Sequence, residues 1–439
     1  MTYTKYKLLA ILLLLGAALQ AQVLTEQEAA KITLENNYGI KIAKNNLEIA
    51  RNNTSKYNTG ELPTIFVNSG LNYGLKASDI NYHSDNIPSS SFFGASSATY
   101  SGSIGVNYTL FDWKKISYTK EKLKESFNIA DLELRKSMEN SLMQLFTAYY
   151  GIANIQEVIG IQKEIIAISK QRLKRSKLKN EYGKSNRLQI LNAEVDLNRD
   201  SVNQLNLIQQ LTTAKRNLNL VMGRDLESDF DIDTLVIFND IEIEQLIANI
   251  GKKNTDLLIL DKNLALSELN IKLNKSRLKP TISAVGNYGL NGGFNDTNYN
   301  VKNQFGTGLT AGFSLTWNLF DGGATKIRNQ NTLKQIDNIN VQKELFRQQI
   351  ISEMRNYYQT YQTQKYVMQV ELENIKTTKV NFERTKDLFN IGRVSSVEFR
   401  QAQLNMLNSQ LNYKKAKYNA KLAELNIMEL SGNILDVMK

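Results

Sequence analysis

The chain repeats itself at a fixed offset. Leu110-Phe111-Asp112 returns as Leu319-Phe320-Asp321, Tyr149 as Tyr358, Gly183 as Gly392, Ala193 as Ala402, Ala214 as Ala423 and Gly223 as Gly432, each pair 209 residues apart. A fixed period is the signature of one structural unit built twice. Holding it for more than a hundred residues means no net insertion, as expected of rigid helices. Upstream, Asn37 pairs with Asn254 and Pro63 with Pro280 at 217. The eight extra residues of copy one therefore fall between the prolines and the Leu-Phe-Asp motifs. Ser84 to Ser97, rich in Ser, occupies that stretch and reads as a longer loop.

In both copies the period changes after the proline. Pro63 and Pro280 end helix-length segments of roughly 25–60 and 245–278, because the residue before a proline is pushed out of the helical region. Then Ile65, Val67, Leu71, Tyr73 and Leu75 alternate with Asn and Gly, and Tyr100, Ile104, Val106, Tyr108 and Leu110 with Ser, Thr and Asn. Copy two repeats this with Ile282, Ala284, Tyr288 and Leu290, and with Phe305, Leu309, Phe313, Leu315, Trp317 and Leu319. Four strands follow, in pairs at about 64–110 and 281–319. A half-buried sheet over a core alternates in the same way. Here the polar parity is small and uncharged, the apolar parity ends in aromatics, and no segment is left to cap the sheet. That pattern fits a transmembrane β-barrel, with Tyr73, Tyr100, Tyr108, Tyr288, Phe305, Phe313 and Trp317 as its lipid-facing aromatics. An open sheet edge cannot sit in lipid, and four strands cannot close alone, so several chains must share one barrel.

The remainder is helical. Residues 112–182 hold no proline and would span about 106 Å as one helix. They form a hairpin over 112–222 with its tip at 183, matched by 321–430 with its tip at 392. Leu404, Leu411, Tyr418 and Leu425 recur every seven residues, with Leu407 and Leu422 on a second seam, which is coiled-coil spacing. The domain plan is thus repeat one over 22–226, an acidic connector over 227–244, read as solvated, and repeat two over 245–439. Ahead of them, Lys5 and Lys7 precede the eleven apolar residues Leu8–Ala18 and a small-residue exit, the layout of a secretory signal over 1–21. Its loss lowers the formal net charge from +11 to +9.

Composition excludes most catalytic chemistry. With no Cys and one His, the chain has no thiolate metal site, cysteine nucleophile or multi-histidine centre, and a serine triad could run only through His83. His83 has only Asp79 and Asp85 near it and reads as an exposed loop residue. The connector lacks the Gly and twelfth-position Glu of a calcium loop. Gly183-Lys184-Ser185 imitates a phosphate loop, but Leu178 stands where its first Gly belongs. Gly306, Gly308 and Gly312 lie inside an alternating strand, not between strand and helix. No catalytic residue, metal or cofactor is assigned, and the spread of basic residues along helices rich in Asn, Gln and Glu argues against nucleic acid.

The tandem repeat, with two strands and a long helical hairpin per copy, the prolines before the strands, the Leu-Phe-Asp motifs and the turns Glu181-Tyr182-Gly183-Lys184-Ser185 and Asn390-Ile391-Gly392-Arg393-Val394 resemble the TolC family of outer-membrane efflux proteins. The resemblance implies a mixed α+β membrane protein. Its homotrimer makes a twelve-stranded barrel in the cell outer membrane, and its helices form a periplasmic tunnel, the exit duct of an efflux or type I secretion system. The implied partners are a periplasmic adaptor, an inner-membrane pump of RND or ABC type and outer-membrane lipid. Tyr182, Gly183, Lys184, Ile391, Gly392 and Arg393 fall at the adaptor-contacting tips. Glu398 and Gln401 fall at the two constriction positions after the second tip glycine, where the family has acids, and Phe389 at a third, where the family can use a Tyr. A solvated surface carboxylate is the plainer reading of Glu398. A non-conducting coiled-coil scaffold or adhesin on the outer membrane is the alternative from another class.

Overall fold

The computed structural model describes residues 23–84, 86–183, 186–296 and 301–438. The expected signal segment 1–21 and the tip residue Lys184 lie outside the described residues. In chain order the elements are β1 (Val23–Leu24), α1 (Glu26–Asn36), α2 (Tyr38–Asn53), α3 (Lys56–Thr59), β2 (Thr64–Ile80), β3 (Ser90–Phe111), α4 (Lys115–Glu181) and α5 (Arg187–Met222). β4 (Asp231–Ile232), α6 (Ile243–Lys253), α7 (Thr255–Ser276), β5 (Thr281–Asn295), β6 (Asn303–Thr316), α8 (Ala324–Asn390) and α9 (Ser396–Leu430) follow, with a 3-10 turn at Ile434–Met438. None of the described helices is long and apolar enough to cross a membrane. The chain divides into a sheet unit, residues 47–129 and 261–341, and a helical unit, residues 23–46, 130–260 and 342–438.

The sheet unit carries four antiparallel strands in the order β2-β3-β5-β6. Their register puts the apolar parities on one face. Val67 lies opposite Ile104, Ile104 opposite Tyr288, and Tyr288 opposite Leu309. The other face takes the small polar parity, with Asn68 opposite Ser103, Ser103 opposite Gly289 and Gly289 opposite Gly308. Directly paired residues share a face, so one apolar and one polar surface result from alternation and register together. The apolar side is bare: Tyr73, Phe305 and Phe313 are all strongly exposed. The strands run to 17, 22, 15 and 14 residues, so the insertion in copy one mostly lengthens β2 and β3, the latter already beginning at Ser90, and only a small part of it makes a loop. Serine fits the small-residue face of a pleated strand as well as it fits a loop. β6 ends at Thr316, so Trp317 follows the strand, its indole N–H donating to the Leu278 carbonyl at 3.1 Å.

Each Leu-Phe-Asp motif is a strand-to-helix switch. Asp112 Oδ2 accepts the Ile116 N–H at 2.6 Å, and Asp321 Oδ2 accepts both the N–H and the hydroxyl of Thr325. The carboxylate thereby satisfies first-turn amides that have no helical partner.

In the helical unit, Tyr149, Tyr150 and Phe146 of α4 pack with Leu218 and Met222 of α5, Tyr418 and Leu425 of α9, and Leu24. Each such buried side chain contributes on the order of 1.5–3 kcal/mol. Two expectations change here. The helix expected over 25–60 is broken at Asn37, and that over 245–278 at Asn254. Asn37 Nδ2 donates to the Val221 carbonyl at 2.7 Å while its Oδ1 accepts the Ile40 N–H; Asn254 does the same with Leu430 and Leu257. The amide side chain starts the next helix and ties it to the end of a hairpin. The connector is also more than a solvated loop. β4 pairs in parallel with β1, and Phe230 and Ile232 enter the core. Its acids pair outward, Glu227 with Arg216 and Asp229 with Lys215.

Candidate functional site

The hairpin tips carry most of the residues singled out in the sequence. α4 ends at Glu181 and the chain turns at Gly183 (φ +68); α8 ends at Asn390 and turns at Gly392 (φ +82). At the second turn the Arg393 N–H donates back to the Leu388 carbonyl at 2.9 Å, closing the helix end. Both descending helices are capped by side chains: Asn186 accepts the Gln189 N–H, and Ser395 accepts the Glu398 N–H at 3.2 Å. Tyr182 and Ile391 stand exposed at the apexes, 77% and 67% accessible.

Behind the turns the two hairpins are joined. Lys179 of α4 donates to the Phe389 carbonyl at 2.9 Å and lies 4.3 Å from the centre of the Phe389 ring, and Arg175 donates to the Asn390 carbonyl. Cations thus meet the open carbonyls at the end of α8, where the helix dipole is negative. Burial, and then Arg175, push the Lys179 ammonium below its ordinary pKa. Phe382, Phe389 and Phe399 form a small core with Ala402 and Met406. Phe389, expected at the constriction, is therefore buried, 3% accessible, with its ring 4.9 Å from that of Phe399.

Above that core lies a buried ionic network that sequence reading missed. Arg172 of α4 donates to Asp196 of α5 at 2.7 Å and to the Ser396 hydroxyl of α9 at 2.8 Å. Arg400 of α9 grips Asp200 of α5 with two N–H groups, at 2.8 and 2.7 Å. Ser169 donates to Asp200, and Gln403 donates to the Ile165 carbonyl. Arg172 sits within Lys170–Lys179, a run that looks like a solvated face. A signal was available in the repeat: Arg400 stands where copy one has Leu191, and Asp200 where copy two has Ser409.

Glu398 and Gln401 remain exposed. The Glu398 carboxylate accepts the Ser395 N–H at 2.7 Å and completes a capping box; hydrogen bonds from the backbone and then the hydroxyl of Ser395 hold its pKa below the usual carboxylate value. Gln401 donates to Asn405. Of the aromatics expected to face lipid, Tyr73, Tyr100, Tyr108, Tyr288, Phe305 and Phe313 lie on the sheet, and Trp317 just follows β6. Tyr100 lies over Gly292, where a Cβ would sit 2.2 Å from its ring.

The family model of outer membrane efflux proteins matches residues 29–224 and again 246–433, both copies of the repeat. The chain belongs to the outer membrane efflux protein family. As a family member it resides in the outer membrane, with its helical part in the periplasm. Its fold is that of solved family channels. The outer-membrane channel OprN superposes with a TM-score of 0.75 at 15% identity over 93% of this chain and 90% of that one. The Campylobacter jejuni outer membrane channel CmeC gives 0.75 at 14% over 93% and 86%. The open-state Neisseria gonorrhoeae channel MtrE gives 0.70 at 15% over 93% and 89%. No curated protein matches it in sequence.

Proposed function

We propose that three copies of this chain form the exit duct of a tripartite efflux or type I secretion machine. The observation that carries it is the sheet: one face apolar and exposed, the other small and polar, and a single neighbour for each of β2 and β6. In lipid those two edges must pair, and twelve strands from three chains close a barrel with a wet interior. Passage is passive, with energy supplied at an inner-membrane pump of RND or ABC type. The exposed tips, with Tyr182 and Ile391 at their apexes and Gly183, Gly392 and Arg393 in the turns, meet a periplasmic adaptor; Lys184 belongs to the same turn. Glu398 and Gln401 face the constriction, Phe389 supports it from behind, and opening moves the second hairpin against the first.

The test is mass and conductance together. Detergent-purified protein should carry three chains and open discrete conductance steps in planar bilayers. A monodisperse single chain, or a trimer without conductance even as Glu398→Ala, overturns the proposal.

A further inference from the structure

The two copies treat the strand-to-helix switch differently. After Asp321, copy two places Gly322 and Gly323 in the left-handed region, φ +68 and +86. Copy one adopts the same turn with Trp113 and Lys114, φ +52 and +67. These are the only non-glycine residues with positive φ among the described residues. Left-handed backbone disfavours every side chain except glycine's, so keeping Trp and Lys where glycine serves indicates that the side chains are needed there.

Their surroundings show for what. Trp113 meets Phe111 edge to face at 5.2 Å, and Phe111 pairs in register with Ile282, which lies on the apolar face of the sheet. Lys279 reaches over the Trp113 ring at 5.7 Å. Lys114, Lys272, Lys275 and Lys279 line a depression of about 540 Å³ beside these aromatics, with no carboxylate in its wall. None of the four makes an ion pair among the described residues. The cluster is not repeated: Lys272, Lys275 and Lys279 correspond to Ser55, Asn58 and Leu62 in copy one.

We propose that this depression binds the phosphate of an anionic phospholipid in the periplasmic leaflet of the outer membrane. The acyl chains lie against the apolar sheet face, Trp113 sits at headgroup depth, and the lysine amines close on the phosphate. Aromatic residues collect at that depth, and flexible lysines reach from an apolar stem to a charged headgroup. The reading rests on the barrel proposed above, since only then does the helix-side end of the strands meet lipid. An anionic headgroup answers four clustered unpaired cations, and the depression is continuous with the lipid-facing surface. A free phosphate shares the headgroup chemistry and is separated by the test.

The chain has two tryptophans, so Trp317→Phe leaves Trp113 as the sole tryptophan, read by excitation at the red edge where tyrosine does not absorb. The full-length protein is reconstituted in phosphatidylcholine vesicles containing equal fractions of brominated phosphatidylglycerol or brominated phosphatidylcholine. Brominated phosphatidylglycerol should associate with Trp113 at least about fivefold more strongly. Lys114→Gly and the triple variant Lys272→Gln/Lys275→Gln/Lys279→Gln should each weaken that preference, the triple to unity. The first matches glycine already present in copy two, so loss of folding does not obscure its result. Equal quenching by both lipids, or a preference that survives the triple variant, overturns the lipid site. Suppression of the preference by millimolar inorganic phosphate overturns the choice of lipid as ligand. Absence of quenching at Trp113 by either lipid, and of Trp317 in the Trp113→Phe protein, overturns the barrel placement itself.

Discussion

Arg400 of α9 and Asp200 of α5 face each other as a two-pronged ion pair across residues 200 apart in the chain, both almost wholly buried. The pair links the second hairpin to the first just behind the tips. Removing one partner leaves a buried charge uncompensated, at a cost of about 3–5 kcal/mol, whereas replacing both with apolar groups of similar volume is often neutral. Asp200→Leu should therefore lower the unfolding midpoint of the detergent-solubilised protein markedly. Arg400→Met/Asp200→Leu should recover most of it. If the double variant is as unstable as the sum of the singles, the pair is not coupled.

Much of the architecture was legible for one reason. Alternation with period two and a constant offset are properties of the sequence itself, and a sheet with one exposed apolar face shows the alternation without tertiary context. Val67, Ile104, Tyr288 and Leu309 could be assigned to one face before any register was known. The tips are different. The environment of Phe389 and Arg172 is set by helix rotation and by residues from another hairpin, which heptad-like spacing in a chain with mixed polar faces leaves open. Asn37 and Asn254 were visible as repeated landmarks, but a helix break made by a side-chain amide resembles continuous helix until its partners at Val221 and Leu430 are known.

The Asn37 and Asn254 knots give a second expectation. Beside them, a Cβ on Gly223 would lie 2.4 Å from the Asn36 carbonyl oxygen, and one on Gly432 would lie 2.3 Å from that of Lys253. Backbone cannot yield as a flexible side chain can. Gly223→Ala and Gly432→Ala should each cost more than the roughly 1–2 kcal/mol of their left-handed φ alone. Asn37→Ala and Asn254→Ala should each cost about 1–3 kcal/mol through unmet hydrogen bonds, and the two should add. Chemical denaturation of the four variants measures this; alanines at Gly223 and Gly432 that are tolerated without loss would refute the close approach.

Glu429 predicts a pH dependence. Burial first, then Glu139, Asp256 and Glu353, raise its pKa from 4.5 to about 7. The folded state then binds more protons than the unfolded state between those values, so Glu429 makes stability fall as pH rises from 4.5 through about 7, and changes nothing further above that. Solvent still reaches part of the group, so the effect is about 1–2 kcal/mol. Glu429→Gln should flatten this part of the profile and stabilise the protein at pH 8 but not at pH 4. A parallel shift at both pH values would show that the carboxyl does not titrate there.

The strained turn at Trp113 and Lys114 is testable on stability alone. A left-handed L-residue costs about 1–2 kcal/mol, and glycine returns part of that gain through its freer unfolded chain. Lys114→Gly should therefore be neutral or stabilising by up to about 1 kcal/mol. Lys124→Gly, inside α4, should instead cost about 1 kcal/mol. The thermal midpoint should fall in Lys124→Gly and hold or rise in Lys114→Gly, and a matching loss in both would deny the strain.

Glu398 has two separable roles, a capping carboxylate and a charge at the proposed constriction. Glutamine retains an acceptor for the Ser395 N–H and completes a capping box as glutamate does, but carries no charge. Glu398→Gln should therefore leave the start of α9 intact while altering ion passage, and Glu398→Ala should disturb both. In planar bilayers, with cation and anion permeability read from reversal potentials in a salt gradient, both variants should lower cation preference by a similar factor. Helix-end protection read by hydrogen exchange over residues 396–400 should fall only in the alanine variant. If Glu398→Gln conducts with unchanged selectivity while Glu398→Ala does not, the carboxylate acts on the channel through the helix end and not through its charge.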